Sequence, residues 1–214
     1  MNANEILDEI EKIFPDAQCE LVHQNPFQLL IAVILSAQTT DVSVNKITPA
    51  LFKAYPDAKA MAEAEIKDIE SYIHSIGLYK NKARSLKKCS KDLIEKFDGQ
   101  VPSTYKELMS LQGVGRKTAN VIRGNIFHEP SVVVDTHVKR ISKKLGLTKS
   151  DDPVKIEQEL MALLPKEQWI LYNIQIITHG RQVCVARHPK CDICTLKEIC
   201  PSCELPIEEK STEK

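Results

Sequence analysis

Hydrophobic residues recur with helical spacing along most of the chain. Ile6, Ile10 and Ile13 form a first stripe at intervals of three or four residues, the repeat that one face of an α-helix presents. Asn25-Pro26 suits a helix N-cap and first helical position, and the apolar run after it predicts a helix over residues 27–37. Only residues 131–134 look extended, and they are too few to build a sheet. The pattern predicts an all-α protein.

Capping residues and glycines indicate where other helices begin and end. Gly77 and Gly146 follow helical segments and predict their C-terminal ends. An Asp-Pro pair predicts a helix over residues 153–164, and the last long helix is predicted over about residues 167–183. Residues 204–214 are polar and charged and are predicted to be disordered.

The segment LQGVGRKTA, residues 111–119, joins two predicted helices through a Gly-x-Gly turn. Glycine adopts positive φ at little cost, so Gly113 and Gly115 allow a tight turn whose amides can approach a phosphate. The next helix is predicted to begin at Arg116, and its first-turn N–H groups extend the anion site. No strand precedes the turn, which excludes the nucleotide-binding glycine loops. A plain helix–helix connection remains the alternative to a unit that grips a nucleic-acid backbone.

Near the C-terminus, four cysteines follow the pattern Cys-x6-Cys-x2-Cys-x5-Cys: Cys184, Cys191, Cys194 and Cys200. Zinc sites usually pair two short knuckles across a longer spacer. A single Cys-x2-Cys flanked by cysteines at intermediate distances favours a cubane iron–sulfur cluster instead. Zinc remains an alternative, and a disulfide framework is disfavoured because the chain shows no apolar secretory segment. Cys203 is a possible substitute ligand.

The composition is that of a soluble globular protein, with 43% hydrophobic and 27% charged residues. The longest apolar run, Phe27–Leu35, is too short to span a membrane. The formal net charge is zero, but residues 80–96 and residues 111–147 each hold seven Lys or Arg against two acids. Because the charge is segregated, a basic face for DNA can exist on a neutral protein. Helical surfaces are commonly rich in lysine, however, so residues 80–96 taken alone indicate a solvated face and not a binding patch.

These signatures occur together with further motifs in one known family. From Asn25 to Cys200 the chain resembles endonuclease III, a family of bifunctional DNA glycosylases and AP lyases in the helix-hairpin-helix superfamily. The matching stretches are LLIAVILSAQTTDVSVNK (29–46), IGLY (76–79), LQGVGRKTANV (111–121), VDTHVKR (134–140), HGR (179–181) and the four-cysteine pattern. Gln112 stands where the family usually has proline, and we expect it to loosen the turn slightly.

The resemblance implies a two-lobed helix-hairpin-helix glycosylase fold with a C-terminal iron–sulfur loop. A central helical barrel would take residues 21–130, and residues 1–20 and 131–203 would form the domain that holds one [4Fe–4S] cluster through the four cysteines. DNA would lie in the cleft between the lobes. The implied function is removal of oxidised pyrimidines from double-stranded DNA and β-elimination at abasic sites. We expect a monomer in the cytoplasm, associated with the nucleoid and not with a membrane.

Lys117 and Asp135 are the predicted catalytic residues. An amine that attacks C1′ of the sugar forms an imine, which enables β-elimination of the 3′ phosphate. The helix N-terminus and the neighbouring Arg116 both favour the neutral, attacking form of Lys117. Asp135 suits the N-cap of a helix beginning at Thr136, and the resemblance implies that its carboxylate also takes part in catalysis. Lys139 is the next candidate nucleophile.

A base must leave the duplex to be removed, so other side chains must fill the gap. The resemblance assigns this insertion to Gln38 and Leu78, although Leu78 also suits a core position. The other expected contacts are to phosphates, from Gly113, Gly115, Arg116, Arg187 and Lys190, and to the extruded base, from Ser36, Asp41 and His137.

Two other functions are compatible with parts of this pattern. The adenine-mismatch glycosylases share the four cysteines, but they have a glutamate at the position of Val33 and no lysine at the position of Lys117. Their long mismatch-reading C-terminal domain has no counterpart in this sequence. A non-catalytic iron–sulfur protein that only binds DNA would need neither Lys117 nor Asp135.

Overall fold

The structure is a computed structural model that describes residues 3–203. Over this range the secondary structure is entirely helical, which confirms the all-α prediction. The α-helices are α1 (Ala3–Ile13), α2 (Pro26–Leu35), α3 (Asp41–Ala54), α4 (Ala58–Glu63), α5 (Ile66–Ile73), α6 (Tyr79–Phe97), α7 (Tyr105–Met109), α8 (Arg116–Phe127), α9 (Thr136–Lys144), α10 (Pro153–Leu163) and α11 (Trp169–Gln182). Short 3-10 turns cover Lys166–Gln168, Cys191–Ile193 and Thr195–Glu198. The predicted disordered tail, residues 204–214, lies outside the described residues.

The chain divides into two compact units. The central unit is Cys19–Ser131, and the terminal unit combines the residues up to Gln18 with those from Val132 onward. Among the described residues, no helix combines the length and apolar character needed to cross a membrane.

Helix α2 forms the buried centre of the central unit and packs against α3, α6 and α8. Every residue from Phe27 to Leu35 is buried. The Asn25 side chain accepts a hydrogen bond from the Gln28 N–H at 2.9 Å, which confirms the predicted N-cap. The helix ends at Leu35, earlier than predicted, because Ser36 closes the last turn and the chain then turns through residues 36–39. This short turn is therefore carried by the most deeply buried helix of the unit.

The terminal unit is built on α1, α9, α10 and α11. Tyr172 of α11 is fully buried, and its hydroxyl is hydrogen-bonded to that of Ser142 on α9 at 2.8 Å. The two helices pack tightly at Gly180, where a Cβ would lie 2.6 Å from His137 Nδ1 and 2.7 Å from Ile141 Cδ1. Packing in this unit therefore requires glycine within the HGR motif.

Several predicted helix boundaries needed correction. Gly146 has a φ of 72° and ends α9 as predicted. Gly77 does not take a left-handed conformation; α5 already ends at Ile73, and Leu78 instead has a φ of 59°. The apolar spacing before the hairpin predicts a helix over residues 105–111, but α7 stops at Met109, because Ser110 caps it and the hairpin turn begins there.

Candidate functional site

The predicted helix–hairpin–helix is formed by α7, residues 110–115 and α8. Gly113 has a φ of 81°, which strains any other residue, and a Cβ there would crowd Ser85 Cβ at 3.3 Å. Gly115 is the extended N-cap of α8, and no described atom outside its neighbours lies within 4 Å of where its Cβ would be. Because glycine offers no capping side chain, the first turn of α8 presents its amides at an uncrowded surface.

The hairpin is fastened to α6 through Gln112. Its backbone N–H donates a hydrogen bond to Asp92 Oδ2 at 3.0 Å, a bond that proline could not make. The expected loosening of the turn is therefore offset by a contact that the family's usual proline would not allow.

Two basic residues open α8 beside the hairpin. The Arg116 guanidinium lies 5.6 Å from the centroid of the Tyr105 ring, and its Nη1 lies 3.4 Å from the tyrosine hydroxyl. Tyr105 on α7 thus supports Arg116 through stacking and hydrogen bonding. Lys117 is exposed in the same first turn. Lys117 thus lies at the surface, in the turn whose amides suit an anion.

Gln38 and Leu78, the predicted insertion residues, share an unusual backbone conformation. Gln38 has a φ of 54° and Leu78 a φ of 59°, both in the left-handed region that non-glycine residues seldom adopt. Gln38 is exposed, and Leu78 is 57% exposed. The alternative of Leu78 as a core residue is therefore wrong. Strained conformations of this kind concentrate at functional sites, where surrounding structure holds them in place.

Asp135 is the N-cap of α9, as predicted. Its side chain accepts a hydrogen bond from the Val138 N–H at 2.8 Å, with the backbone of Asp135 extended. This bond engages Oδ1, and a carboxylate has a second oxygen that can still accept a hydrogen bond. The side chain is partly exposed, so that oxygen can serve a ligand as well as the fold.

All four predicted cysteine ligands line one pocket of the terminal unit, and Cys203 lines it too. Within residues 3–203, no group of three or more Cys, His, Asp or Glu side chains is arranged to hold a single metal ion. Four thiolates bind one zinc ion at about 2.3 Å each, whereas each cysteine of a [4Fe–4S] cluster caps a different iron. Thiols spread around a pocket therefore fit the cluster better than a single zinc ion.

Two side chains that sequence reasoning missed contact these cysteines. Arg140 Nη1 donates to the Cys184 carbonyl at 2.6 Å and lies 3.7 Å from Cys184 Sγ. His179 is 2% exposed, and its Nε2 lies 3.8 Å from Cys194 Sγ. Burial, reinforced by the Arg140 charge, lowers the pKa of His179 to about 4, so its ring is neutral at pH 7. Both residues belong to the motifs VDTHVKR and HGR, which gave the only sequence signal for them.

The loop between the first two cysteines carries the predicted basic contacts. Arg187 and Lys190 are exposed, and the Lys190 N–H donates to the Val183 carbonyl at 3.1 Å. His188 between them has a φ of 56°. The loop thus closes on the end of α11 from which it starts, and it leaves both cationic side chains at the surface.

The three predicted base-pocket residues are less distinctive. The Ser36 hydroxyl donates to the Val33 carbonyl at 2.9 Å, within its own helix. His137 Nδ1 lies 3.3 Å from Arg140 Nη2 and packs against Gly180. Asp41 opens α3 and is partly exposed. For Ser36 and His137 the observed contacts are structural, and a role toward a base stays a prediction for all three.

The sequence of the chain matches a family model over residues 31–166, described as HhH-GPD superfamily base excision DNA repair protein. The chain belongs to this superfamily. It is 51% identical over 203 residues to endonuclease III of Synechocystis sp., covering 94% of this chain and 93% of that protein. Endonuclease III of Bacillus subtilis is 46% identical over 195 residues, covering 91% of this chain and 89% of that protein.

Solved structures agree with this membership. A trapped covalent intermediate of endonuclease III with DNA, an estranged-adenine complex, superposes with a TM-score of 0.90 at 47% identity, covering 94% of this chain and 97% of that one. These comparisons confirm the predicted resemblance, the helix-hairpin-helix glycosylase fold and the enzyme class, a base excision repair DNA glycosylase with AP lyase activity. They support DNA as the binding partner.

Proposed function

We propose that Lys117 is the nucleophile of a glycosylase that removes oxidised pyrimidines and then cleaves the abasic strand. The observation that carries this assignment is the position of Lys117, exposed in the first turn of α8 directly after the uncapped Gly-x-Gly hairpin. A phosphate bound at that turn would bring the amine next to a deoxyribose of the same strand.

The chemistry follows from the amine. The lone pair of Lys117 Nζ attacks C1′, and the C1′–N bond to the base breaks, so that the base leaves with the bonding electrons and takes up a proton. Opening of the sugar ring at O4′ then gives an imine between Nζ and C1′. Loss of a proton from C2′ drives the C3′–O bond to break, and the 3′ phosphate departs. Water finally hydrolyses the imine and frees the lysine.

Asp135 supplies the carboxylate that this sequence of steps needs. One oxygen caps α9 through Val138, which fixes the orientation of the group. The second oxygen can stabilise positive charge on the sugar and accept or return protons. Gln38 and Leu78 would fill the space that the extruded nucleotide leaves, since both are exposed and held in strained conformations.

The pocket lined by Cys184, Cys191, Cys194 and Cys200 would hold one [4Fe–4S] cluster. When bound, the cluster would supply a rigid crosslink among the loops that carry these cysteines. Arg140 and His179 sit beside two of the sulfurs, and Arg187 and Lys190 would be presented to phosphates from the loop between the first two ligands. We further propose that the protein acts as a cytoplasmic, nucleoid-associated monomer.

Borohydride trapping on DNA that contains an abasic site tests the nucleophile. The wild-type protein should give a covalent protein–DNA complex, because borohydride reduces the imine. Lys117→Gln should bind the same DNA and give none. The matched control is Lys139→Gln, since Lys139 is engaged by Asp151, with Nζ 3.2 Å from Oδ1 and 2.9 Å from the carbonyl. Trapping that survives in Lys117→Gln and disappears in Lys139→Gln would transfer the role to Lys139.

A further inference from the structure

A buried lysine on α6 joins the two segments that carry the proposed insertion residues. Lys82 is 6% exposed, and its Nζ donates a hydrogen bond to Thr39 Oγ1 at 2.6 Å. Its backbone N–H donates to the Leu78 carbonyl at 3.0 Å. That second bond is the first i→i−4 backbone bond of α6, so the contact specific to the Lys82 side chain is the one to Thr39, the immediate neighbour of Gln38, made from the helix that begins directly after Leu78.

Thr39 connects Lys82 to Ala37, the residue on the other side of Gln38. Its hydroxyl accepts from Lys82 and lies 3.4 Å from the Ala37 carbonyl, to which it donates. Its N–H donates to the Ser36 carbonyl at 3.0 Å. Both neighbours of Gln38 are therefore restrained, while the Gln38 side chain itself remains exposed.

Burial of Lys82 is unfavourable unless something compensates for it. Burial lowers the pKa of its ammonium group, and no carboxylate among the described residues pairs with it. An unpaired lysine is seldom buried, because the charge loses its hydration. The neighbouring Lys80 on the same helix is exposed, which shows that this part of α6 can carry a lysine at the surface. A lysine that only supplied positive charge to DNA could stay at the surface, so the burial of Lys82 requires another explanation.

We propose that Lys82 is a positioning residue that holds the Gln38 turn against the start of α6 and so fixes the position of Gln38 relative to Leu78 before DNA binds. The inference rests on the insertion roles proposed above for Gln38 and Leu78. Left-handed conformations at two non-glycine residues persist only where surrounding contacts impose them. The Lys82 side chain holds the Gln38 turn against the helix that begins after Leu78. The two segments are therefore positioned relative to each other in the free protein, and this ordering is not taken from the binding free energy.

Two pairs of variants separate positioning from charge and from general stability. Thr39→Val removes the acceptor hydroxyl at a partly exposed position, and Thr39→Ser keeps it. Lys82→Met removes the amine but keeps an unbranched side chain, and Lys80→Met removes the same charge from the exposed surface two residues away. The double variant Lys82→Met/Thr39→Val completes a cycle. Thermal unfolding followed by circular dichroism establishes the folded fraction of each, and Thr39→Val keeps the test valid if Lys82→Met is unstable.

The readouts are single-turnover excision of an oxidised pyrimidine and fluorescence of 2-aminopurine next to a stable abasic analogue, which reports opening of the base stack. Thr39→Val and Lys82→Met should each lower the excision rate and the rate of fluorescence rise by on the order of tenfold or more, the scale of a misplaced contact. Thr39→Ser and Lys80→Met should keep both rates near wild type. The double variant should lose no more than the worse single variant, because both changes break one contact.

Two results would overturn the proposal. One is a Thr39→Val protein that opens and excises as fast as Thr39→Ser. The other is a double variant whose loss equals the product of the two single losses. If the wild-type protein forms no trapped complex with abasic DNA, the proposed function fails and this inference fails with it. If the wild-type protein is trapped normally and the Lys82 and Thr39 variants keep wild-type rates, only the role of Lys82 is disproved.

Discussion

The backbone amide of Gln112 is bound by the carboxylate of Asp92, at 3.0 Å from Oδ2. Asp92 is 8% exposed, and its other oxygen lies 3.1 Å from Lys96 Nζ, which also donates to the Ser110 carbonyl at 3.1 Å. Two residues of α6 therefore hold the hairpin at both Ser110 and Gln112. The positions of Gly113 and Gly115 in the hairpin therefore depend on this side of α6.

Gln112→Pro should destabilise the protein by about 1–2 kcal/mol. Leaving the buried carboxylate short of a donor costs about 1–3 kcal/mol, and the stiffer unfolded chain returns up to about 1 kcal/mol. Gln112→Ala keeps the amide and should be close to neutral. Urea unfolding of the three proteins measures the difference. Equal stability of the proline and alanine variants would show that the bond to Asp92 contributes nothing.

Asp135→Asn should preserve the fold and abolish most activity. Asparagine caps a helix as well as aspartate does, so unfolding temperature and iron content should stay at wild-type values. Loss of the negative charge should lower turnover on the order of 10²-fold or more. Asp135→Ala additionally removes the cap and should cost about 1 kcal/mol of stability. Normal turnover per folded molecule in Asp135→Asn would leave Asp135 as a helix cap alone.

Purified protein should contain about four irons per chain, in keeping with one cubane cluster. Serine at Cys184, Cys191, Cys194 or Cys200 should each reduce the iron retained. Cys19→Ser is the matched control, because Cys19 belongs to the central unit and is only partly buried. Metal analysis by mass spectrometry checks both. One zinc per chain without iron would disprove the cluster.

Arg187→Ala and Lys190→Ala should weaken DNA binding similarly for all sequences. If each side chain neutralises one phosphate, the slope of log affinity against log salt should become shallower by about one unit for each change. Lys53→Ala serves as the control, since it removes a lysine from the last turn of α3, outside the hairpin and the cysteine loop. Fluorescence anisotropy over a series of salt concentrations measures the slopes. Unchanged slopes would remove these two residues from the interface.

Local sequence determines a large part of this site, and distant contacts determine the rest. The Asn25 and Asp135 caps each form with a residue three positions away, and the Gly113 turn depends on the positive φ of that residue itself, so short motifs predicted all three. Lys82 meets Thr39 across 43 positions, and Arg140 meets Cys184 across 44. No periodicity or spacing connects such pairs, because only packing of the helices brings them together. The left-handed Leu78 was missed for a related reason, since the adjacent Gly77 is the residue that would ordinarily take that conformation.

The conformation of Leu78 also restricts which residues can replace it. Valine and isoleucine match leucine in hydrophobicity, but a β-branched side chain is strongly disfavoured at a φ of 59°. Glycine would relieve the strain and stabilise the fold, yet it would remove the protruding side chain. Asparagine tolerates the backbone but replaces the apolar surface with an amide. With the insertion role proposed for Leu78, selection for stability and selection for activity oppose each other at this position.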